Sequence, residues 1–206
     1  MPFKMEVMKF LDKIDPTAEK IGSVNTVVIK NNKLIGYNTD GIGAVNALKK
    51  VVRLNGKRVL LLGSGGAGKA ISFYLKKEKT KVTIADRTDA KAKKLAKKLK
   101  VKQISLKSIK SLENYDILIN ATPVGMKPET MNTPINTNLL RKDLIVFDII
   151  YEPLQTKLLK EARKKGCKTI NGLEMLLEQG FVGFKIFTGR NPPKKSMRRA
   201  VLKVLK

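Results

Sequence analysis

Residues 59–70 of this chain are Val59-Leu60-Leu61-Leu62-Gly63-Ser64-Gly65-Gly66-Ala67-Gly68-Lys69-Ala70. An apolar strand runs directly into a Gly-x-Gly-x-x-Gly turn, and the pattern predicts that a helix follows. Gly63 permits the tight turn, Gly65 lets a diphosphate approach the backbone, and Gly68 lets the helix pack against the strand. Free N–H groups and the positive end of the helix would then hold the phosphates. The residues predicted to bind a dinucleotide here are Gly63, Ser64, Gly65, Gly66, Ala67 and Gly68.

The glycine-rich turn has two other interpretations. A nucleoside-triphosphate loop of the Walker type is excluded, because it requires Ser or Thr after the lysine and Ala70 follows Lys69. The second interpretation, a turn that joins a strand to a helix and binds no ligand, is not excluded by the sequence.

The next predicted strand is followed by Asp86-Arg87-Thr88, with Lys91 one turn later. Asp86 is placed to accept the ribose 2′-OH of NAD, whereas Arg87, Thr88 and Lys91 are placed to hold the 2′-phosphate of NADP. An ionised Asp86 would repel that phosphate unless its carboxylate turns away. Asp86 and Thr88 could instead only cap the next helix. We expect NADP as the cofactor, with NAD as the alternative.

Strands and helices alternate regularly from residue 58 to residue 170. Such alternation, with apolar strands, predicts a parallel sheet covered by helices on both faces. The predicted fold class is α/β, with a doubly wound sheet of the Rossmann type. The predicted strands are 58–62, 81–85, 117–120, 144–149 and 168–170, and the predicted helices are 67–76, 89–99 and 156–165.

The two ends of the chain lie outside this alternating block. Apolar spacing predicts a helix over 4–14, and the predicted strands 24–29 and 34–37 flank a hairpin turn at Asn31-Asn32. Together with three more helices, these elements predict a second, smaller and incomplete α/β lobe built from both chain ends. The three helices are 42–52 (with Asp40 as its N-cap), 172–187 and 193–206. The predicted division is 1–40 for the substrate lobe, 41–172 for the NAD(P)-binding domain and 173–206 for helices that return to the lobe.

The composition excludes several classes of site. The 206 residues contain no histidine and one cysteine, Cys167. An internal disulfide, a zinc cluster and Ser-His or Cys-His catalysis are therefore excluded, and we expect no metal. Proton transfer must use Lys, Asp, Glu, Tyr or Cys. The sequence shows no apolar run long enough to span a membrane and no signal-peptide pattern, so we expect a cytoplasmic protein without a membrane partner.

The net charge of +26, from 43 basic and 17 acidic residues, has two interpretations. One is nucleic-acid binding, and the other is a lysine-rich solvated surface. Lysine greatly outnumbers arginine, aromatic residues make up 5% of the chain, and the basic residues are spread along it, which favours the second. We expect a small-molecule substrate, no specific nucleic acid, and a surface that attracts phosphorylated cofactors. A homodimer is compatible with this sequence.

Six further motifs occur along the chain in a definite order. They are Met1-Pro2-Phe3-Lys4, Ile21-Gly22-Ser23-Val24-Asn25-Thr26, Gly36-Tyr37-Asn38-Thr39-Asp40-Gly41, Asn120-Ala121-Thr122-Pro123-Val124-Gly125-Met126, Asp148-Ile149-Ile150-Tyr151-Glu152-Pro153 and Asn171-Gly172-Leu173-Glu174-Met175-Leu176-Leu177-Glu178-Gln179. With the glycine-rich turn they resemble the motifs of the shikimate dehydrogenase family (shikimate/quinate 5-dehydrogenase). The resemblance implies an NADP-dependent, reversible reduction of 3-dehydroshikimate to shikimate, a step of chorismate and aromatic amino acid biosynthesis. Quinate as substrate, or NAD as cofactor, is the alternative within the family.

The resemblance also implies roles for single residues. Lys4 and Asp40 match the catalytic pair. An ammonium beside a carbonyl stabilises the negative charge that develops as hydride arrives, and it donates the proton. Taken singly, Lys4 could be a surface lysine and Asp40 only a helix cap. The remaining positions implied are Asn25 and Gln179 as ligands of substrate hydroxyls, Tyr151 near the substrate, and Thr122 and Gly172 at the cofactor.

The sequence departs from the family pattern at its start. Family members carry a βαβ stretch before the Pro-x-Lys motif, with a Ser-x-Ser pair that holds the substrate carboxylate, and this sequence starts at the motif. The resemblance therefore predicts an N-terminally truncated member whose dinucleotide domain folds and whose substrate lobe exposes strand edges. Two alternative functions follow, a cofactor-binding remnant without turnover and, from the charge, a nucleic-acid-associated protein.

Overall fold

The structure of the protein, a computed structural model, describes residues 2–205. Met1, in the first motif, and Lys206, at the end of the last predicted helix, lie outside the described residues. Two sheets and seven α-helices make up the described part of the chain. None of the helices described there combines the length and the apolar character needed to cross a membrane.

The first sheet has three short strands and forms the smaller lobe. In chain order its elements are β1 (Lys13–Ile14), α1 (Pro16–Ile21), β2 (Thr26–Lys30) and β3 (Lys33–Tyr37). The central strand, β3, pairs parallel with β1 and antiparallel with β2. Asn31 and Asn32 join β2 to β3 with φ angles of 52° and 56°. Asn tolerates this left-handed conformation, and the predicted hairpin is confirmed.

The helix predicted over 4–14 is wrong. The structure has two 3-10 turns there, Pro2–Lys4 and Val7–Phe10, and then β1. The apolar side chains do not share one buried face, since Phe10 is 75% exposed. The segment instead pairs with β3 through β1. Pairing with a distant strand has overridden the local helical spacing.

Helix α1 was not predicted from the sequence, although its ends carry clear signals. The Asp15 carboxylate accepts hydrogen bonds from the N–H groups of Thr17 and Ala18, at 2.9 and 3.2 Å. Pro16 occupies the first helical position, and Gly22 ends the helix with a φ of 75°. An Asp-Pro pair followed by a Gly is therefore the pattern that indicates this helix.

Helix α2 (Asp40–Lys49) begins two residues before the predicted helix. The N-cap residue is Thr39 and Asp40 is the first helical residue, so the assignment of Asp40 as the N-cap is wrong. The Asn38 side-chain oxygen accepts hydrogen bonds from the N–H groups of Asp40 and Gly41, at 3.2 and 3.4 Å. Because Asn38 supplies the capping oxygen, the Asp40 carboxylate is left for other contacts.

The second sheet has six strands, and all of its pairings are parallel. In chain order this part of the chain has β4 (Arg58–Leu62), α3 (Gly66–Lys77), β5 (Lys81–Ala85), α4 (Asp89–Leu99), β6 (Lys102–Gln103), β7 (Ile117–Asn120), β8 (Ile145–Asp148), α5 (Lys157–Lys164) and β9 (Lys168–Ile170). The strand order β6-β5-β4-β7-β8-β9 confirms the predicted Rossmann-type doubly wound sheet. The edge strand β6 has two residues and was not predicted.

Both faces of the second sheet are buried. Val59 and Leu61 pack on the side of α2, α3 and α4, whereas Leu60 and Leu62 pack on the side of α5. These four side chains are at most 1% exposed. Burial on both faces requires the continuous apolar run that the sequence shows, and each side chain of this kind stabilises the fold by roughly 1.5–3 kcal/mol.

Two helices, α6 (Gly172–Thr188) and α7 (Lys194–Val204), follow the second sheet. Helix α6 packs along α2, and the two backbones come close at Gly43. A β-carbon at Gly43 would lie 2.7 Å from the backbone nitrogen of Gln179. A larger residue would push α6 away, so Gly43 fixes where Gln179 lies. The predicted division of the chain at residues 40 and 172 stays a prediction.

Replacing Asp15 with Ala should lower the free energy of unfolding by about 1 kcal/mol, the usual cost of losing a helix N-cap. Urea unfolding followed by circular dichroism measures this change. Asp15→Asn keeps a side-chain oxygen that accepts the same hydrogen bonds and should stay near the wild type. An equal loss in both variants would show that the charge, and not the cap, stabilises this segment.

Candidate functional site

A cleft opens at the carboxyl ends of β4 and β7. The chain proceeds outward from β4 to β5 and β6 on one side, and from β7 to β8 and β9 on the other. The loops that follow the strands separate at this point, which is where open α/β sheets bind ligands. Three cavities of about 380, 550 and 200 Å³ lie along the cleft, and we name them the outer, middle and inner cavities.

The cavities adjoin one another and contain most of the predicted site residues. Ala121, Thr122 and Pro123 line both the outer and the middle cavity. Lys4 and Tyr151 line both the middle and the inner cavity. Predicted residues on the outer cavity are Gly63, Gly65, Asp86, Arg87, Thr88, Lys91 and Thr122. Those on the middle cavity include Gly66 and Ala67, and those on the inner cavity are Lys4, Asn25, Asp40, Ala67, Tyr151, Gly172 and Gln179.

The glycine-rich turn has the backbone form that its sequence predicts. Gly63 has a φ of 105°, and a β-carbon there would lie 2.7 Å from the Ala121 carbonyl oxygen. Gly68 packs directly against the Gly63 backbone. Gly65 is exposed, and a β-carbon there would meet no atom within 4 Å. The space in front of Gly65 is open, and it fits a diphosphate held by N–H groups at the start of α3.

Asp86 is turned toward the glycine-rich turn. One carboxylate oxygen accepts hydrogen bonds from the N–H and the hydroxyl of Ser64, both at 2.7 Å, and the other accepts from the Thr88 N–H at 2.9 Å. Burial alone would raise the pKa of Asp86, but the bonds from Thr88 and Ser64 and the charge of Lys91 hold it below its ordinary value. Ser64 is itself buried. The bonds between Asp86 and Ser64 therefore stabilise the glycine-rich turn, and both oxygens of the ionised carboxylate accept hydrogen bonds from within the protein.

The surroundings of the outer cavity are strongly positive. Arg87 and Lys91 are exposed at its rim. On the helices α3 and α4, burial and the charges of Lys98 and Lys94 lower the pKa of Lys69. Among the salt bridges of residues 2–205, none includes any of these five residues. Such a field attracts a phosphorylated ligand.

Lys4 and Asp40 form an ion pair in the inner cavity. The Lys4 ammonium donates a hydrogen bond to Asp40, and the two side chains are 21% and 6% exposed. Asp40 lies in the first turn of α2, where the helix end favours a negative charge. The Lys4 backbone is anchored as well, because its carbonyl accepts a hydrogen bond from the Val24 N–H at 2.8 Å. Lys4 is thus held within the cleft.

Asn25 is the centre of a polar network beside this pair. Its amide nitrogen lies 2.9 Å from an Asp40 carboxylate oxygen and 3.0 Å from both the Thr39 hydroxyl and the Gln179 side-chain oxygen. Its own oxygen accepts a hydrogen bond from the Thr39 N–H at 2.9 Å. Thr39 was not predicted as a site residue, although it lies inside the Gly-Tyr-Asn-Thr-Asp-Gly motif, which is the signal that could have found it.

Lys4 also lies beside the glycine-rich turn. A β-carbon at Gly66 would lie 3.3 Å from the Lys4 Cβ and Cδ atoms, so the lysine side chain passes the first turn of α3. A lysine that can hold a proton is therefore next to the predicted diphosphate site. Gly172 lines the inner cavity together with Ala67 of the glycine-rich turn, and it is not among the residues that line the outer cavity.

A buried carboxyl, Asp148, lies behind the cleft at the end of β8. Its side chain is 0% exposed. Burial raises its pKa from 3.8 to about 6, against hydrogen bonds from Thr156, Ile150 and Asn120 that act to lower it. Among the described residues, no group of three or more His, Cys, Asp or Glu side chains is arranged to hold a metal ion.

Three family models match this chain. A model described as "Shikimate / quinate 5-dehydrogenase" matches residues 46–151. A model of the shikimate dehydrogenase substrate binding domain matches residues 1–27, and one of the shikimate 5'-dehydrogenase C-terminal domain matches residues 172–202. The matches follow one another along the chain and cover both predicted lobes.

Individual relatives agree with the family models. The chain is 48% identical over 210 residues to the shikimate dehydrogenase (NADP(+)) of Methanococcus maripaludis, covering 98% of this chain and 75% of that protein. A solved shikimate dehydrogenase in complex with NADP+ superposes with a TM-score of 0.95 at 44% identity, over 100% of this chain and 75% of that one. The enzyme of Thermus thermophilus, solved with NADP(H) and shikimate, gives a TM-score of 0.90 at 35% identity, over 98% of this chain and 76% of that one.

The buried carboxyl of Asp148 should give a distinct pH dependence of stability. Its pKa is raised from 3.8 to about 6 by folding, so the folded chain binds this proton more tightly than the unfolded chain. The contribution of Asp148 to stability therefore rises as the pH falls through 6 and is complete below about 4. Asp148→Asn removes this proton, so the variant should lose about 2 kcal/mol relative to the wild type between pH 7.5 and pH 4.5.

Urea unfolding of both proteins across this pH range measures the difference in the free energy of unfolding. The matched control is Asp143→Asn, which makes the same change at a side chain that is 86% exposed. A difference between wild type and Asp148→Asn that does not change with pH would contradict the prediction.

Proposed function

Because this chain belongs to the shikimate dehydrogenase family, we propose that it catalyses the reversible, NADP-dependent reduction of 3-dehydroshikimate to shikimate. The observation that carries the proposal is the position of the Lys4–Asp40 ion pair. It lies in the inner cavity and also borders the glycine-rich turn, so an acid–base group and a diphosphate cradle share one cleft.

The proposed role of Lys4 is that of the acid and base. During reduction the carbonyl oxygen gains negative charge, and the Lys4 ammonium stabilises that charge and donates a proton to the oxygen. In the reverse direction the neutral amine takes the proton of the hydroxyl. The Asp40 carboxylate accepts a hydrogen bond from Lys4 through one oxygen and from Asn25 through the other. Asp40 therefore orients the ammonium.

The proposed cofactor site is the outer cavity with the rim of the middle one. The backbone at Gly63 and Gly65 would hold the diphosphate, and Arg87 and Lys91 would pair with the 2′-phosphate. Both Asp86 oxygens accept hydrogen bonds from Ser64 and Thr88, which supports a carboxylate that is turned toward these residues and away from that phosphate. When bound, the nicotinamide cofactor supplies or accepts the hydride.

The proposed substrate site is the inner cavity, whose volume is about 200 Å³. Asn25, Gln179 and Tyr151 line it together with Lys4 and Asp40. Amide groups both donate and accept hydrogen bonds, which suits a ring that carries several hydroxyls. Activity assays distinguish the alternatives. One is the use of quinate or NAD in place of shikimate or NADP, and the other is a cofactor-binding remnant without turnover. The homodimer, the cytoplasmic location and the absence of a specific nucleic-acid partner stay predictions from the sequence.

Lys4→Ala should lower kcat for shikimate oxidation by roughly 1,000-fold, since a general acid or base contributes about 10²–10⁴. The affinity for NADP should change little, because the Lys4 ammonium is paired with Asp40 and is not among the groups proposed to hold the phosphates. Absorbance of the reduced nicotinamide reports turnover, with quinate and NAD assayed in parallel, and fluorescence titration reports binding. Lys9→Ala, at an exposed lysine nearby, is the matched control. Normal turnover by Lys4→Ala would refute the proposed mechanism.

Arg87→Ala should raise the KM for NADP by roughly 10- to 100-fold, because a charged hydrogen bond contributes about 1.5–3 kcal/mol. The KM for NAD should stay within error, since NAD lacks the 2′-phosphate. Lys97→Ala removes an exposed charge of α4 and should affect neither cofactor. An equal loss for NADP and NAD would place Arg87 elsewhere than at the 2′-phosphate.

A further inference from the structure

Two loops form walls of the cleft and belong to no helix or strand. Residues 121–124 follow β7, and Thr122 lines the outer and middle cavities. Residues 149–156 follow β8, and Tyr151 lines the middle and inner cavities. Hydride transfer requires the two ligands to meet at a fixed distance, so these walls must keep a fixed separation.

Asp148 binds the second loop at two points. One carboxylate oxygen accepts a hydrogen bond from the Ile150 N–H at 3.2 Å, next to Tyr151. The other accepts from the Thr156 hydroxyl at 2.7 Å. The Thr156 hydroxyl oxygen in turn caps α5 by accepting from the Leu159 N–H at 3.3 Å. Both ends of the loop are thus fixed to one buried carboxylate.

The same carboxylate reaches the first loop through Asn120. Asn120 and Asp148 are partners in the register of β7 and β8, and the Asn120 amide donates to Asp148 at 3.1 Å. That amide also donates to the Val124 carbonyl at 3.2 Å. The Asn120 oxygen accepts from the N–H and the hydroxyl of Thr122, at 3.0 and 2.7 Å. A continuous set of hydrogen bonds therefore runs from Thr122 to the loop of Tyr151.

We propose that Asp148 is a positioning residue, which through Asn120 and Thr156 holds the wall that contains Thr122 and the wall that contains Tyr151 at one separation across the cleft. The inference rests on the proposed dehydrogenase function. Asp148 is completely buried and lines none of the three cavities, so it acts through other residues and touches neither ligand.

The energetics agree with this role. Burying a carboxyl is unfavourable, and the raised pKa of Asp148 reflects that cost. A neutral apolar residue at the end of β8 would avoid the cost, but it would leave the Thr156 hydroxyl, the Ile150 N–H and the Asn120 amide without this acceptor. Buried polar groups whose partners are all satisfied restrict a segment to a single arrangement.

Three variants test the proposal. Asp148→Ala removes the acceptor. Asp148→Asn keeps an oxygen for Ile150 and Asn120, and its amide can donate to the Thr156 hydroxyl, so the connection survives. Thr156→Val removes the hydrogen bond from the Thr156 hydroxyl to Asp148, and it replaces Asp148→Ala as the test variant if Asp148→Ala does not fold. The matched control is Thr80→Val, because Thr80 is buried, donates to the Leu75 carbonyl at 2.8 Å, and precedes β5 at the opposite end of the sheet.

Asp148→Ala should lower kcat by roughly 10- to 100-fold, as expected for reacting groups misplaced by about 1 Å. Each KM should stay within roughly threefold, because the residues proposed to bind the ligands are unchanged. The deuterium isotope effect on kcat, measured with 4-deuterated NADPH, should increase. Thr156→Val should change these values in the same direction, whereas Asp148→Asn and Thr80→Val should resemble the wild type.

Hydrogen exchange of residues 121–124 and 150–156 gives a readout that needs no turnover. Both segments should lose protection together in Asp148→Ala, or in Thr156→Val if the former does not fold. An unchanged kcat, or loss of protection in only one segment, would overturn the proposal, as would a defect in Asp148→Asn equal to that of Asp148→Ala. A wild-type chain without activity on shikimate would refute the proposed function instead, and hydrogen exchange would still decide whether Asp148 connects the loops.

Discussion

Parallel pairing of β4 with β7 is the constraint on which the cleft depends. Leu62 and Asn120 are register partners at the ends of these strands. The loop after β4 must then turn sharply, because the Ala121 backbone lies directly beside Gly63. Since one loop turns toward β5 and the other toward β8, the sheet opens only here. The glycine-rich turn, the positive rim and the inner cavity all lie around that opening.

Charge is distributed along the cleft in a graded way. At the outer end, arginine and lysine side chains are exposed and have no salt-bridge partner among the described residues, which suits a ligand that brings its own phosphates. At the inner end, Lys4 is paired with Asp40 and mostly shielded from solvent. The attraction between these two charges is stronger than it would be in water, because the effective dielectric constant around a shielded pair is lower. In the proposed function, cofactor binding and proton transfer would therefore use separate groups of basic residues.

Most of the Rossmann sheet was predictable because its strands are buried on both faces and are followed by helices with regular spacing. The helix over 4–14 failed because β1 gains its hydrogen bonds from β3, which lies far along the chain. The motif residues Asn25, Asp40 and Gln179 were identified by resemblance. The hydrogen bonds that join them in one network were not predicted. Local spacing contains no information on which loops meet, so the contacts of Thr39 with Asn25 and the Asp148 connection could not be derived from it.

Local sequence patterns are sufficient to specify the alternation of strands and helices, the glycine-rich turn and the chemical types of the site residues. These features depend on local conformational preferences and on the period of apolar side chains, which neighbouring residues set. Three other features depend on the packing of the folded chain: Asp86 faces Ser64, Gly43 lets Gln179 reach Asn25, and Lys4 lies against Gly66. Each is a contact between segments distant in sequence, and its geometry follows from how the helices pack on the sheets.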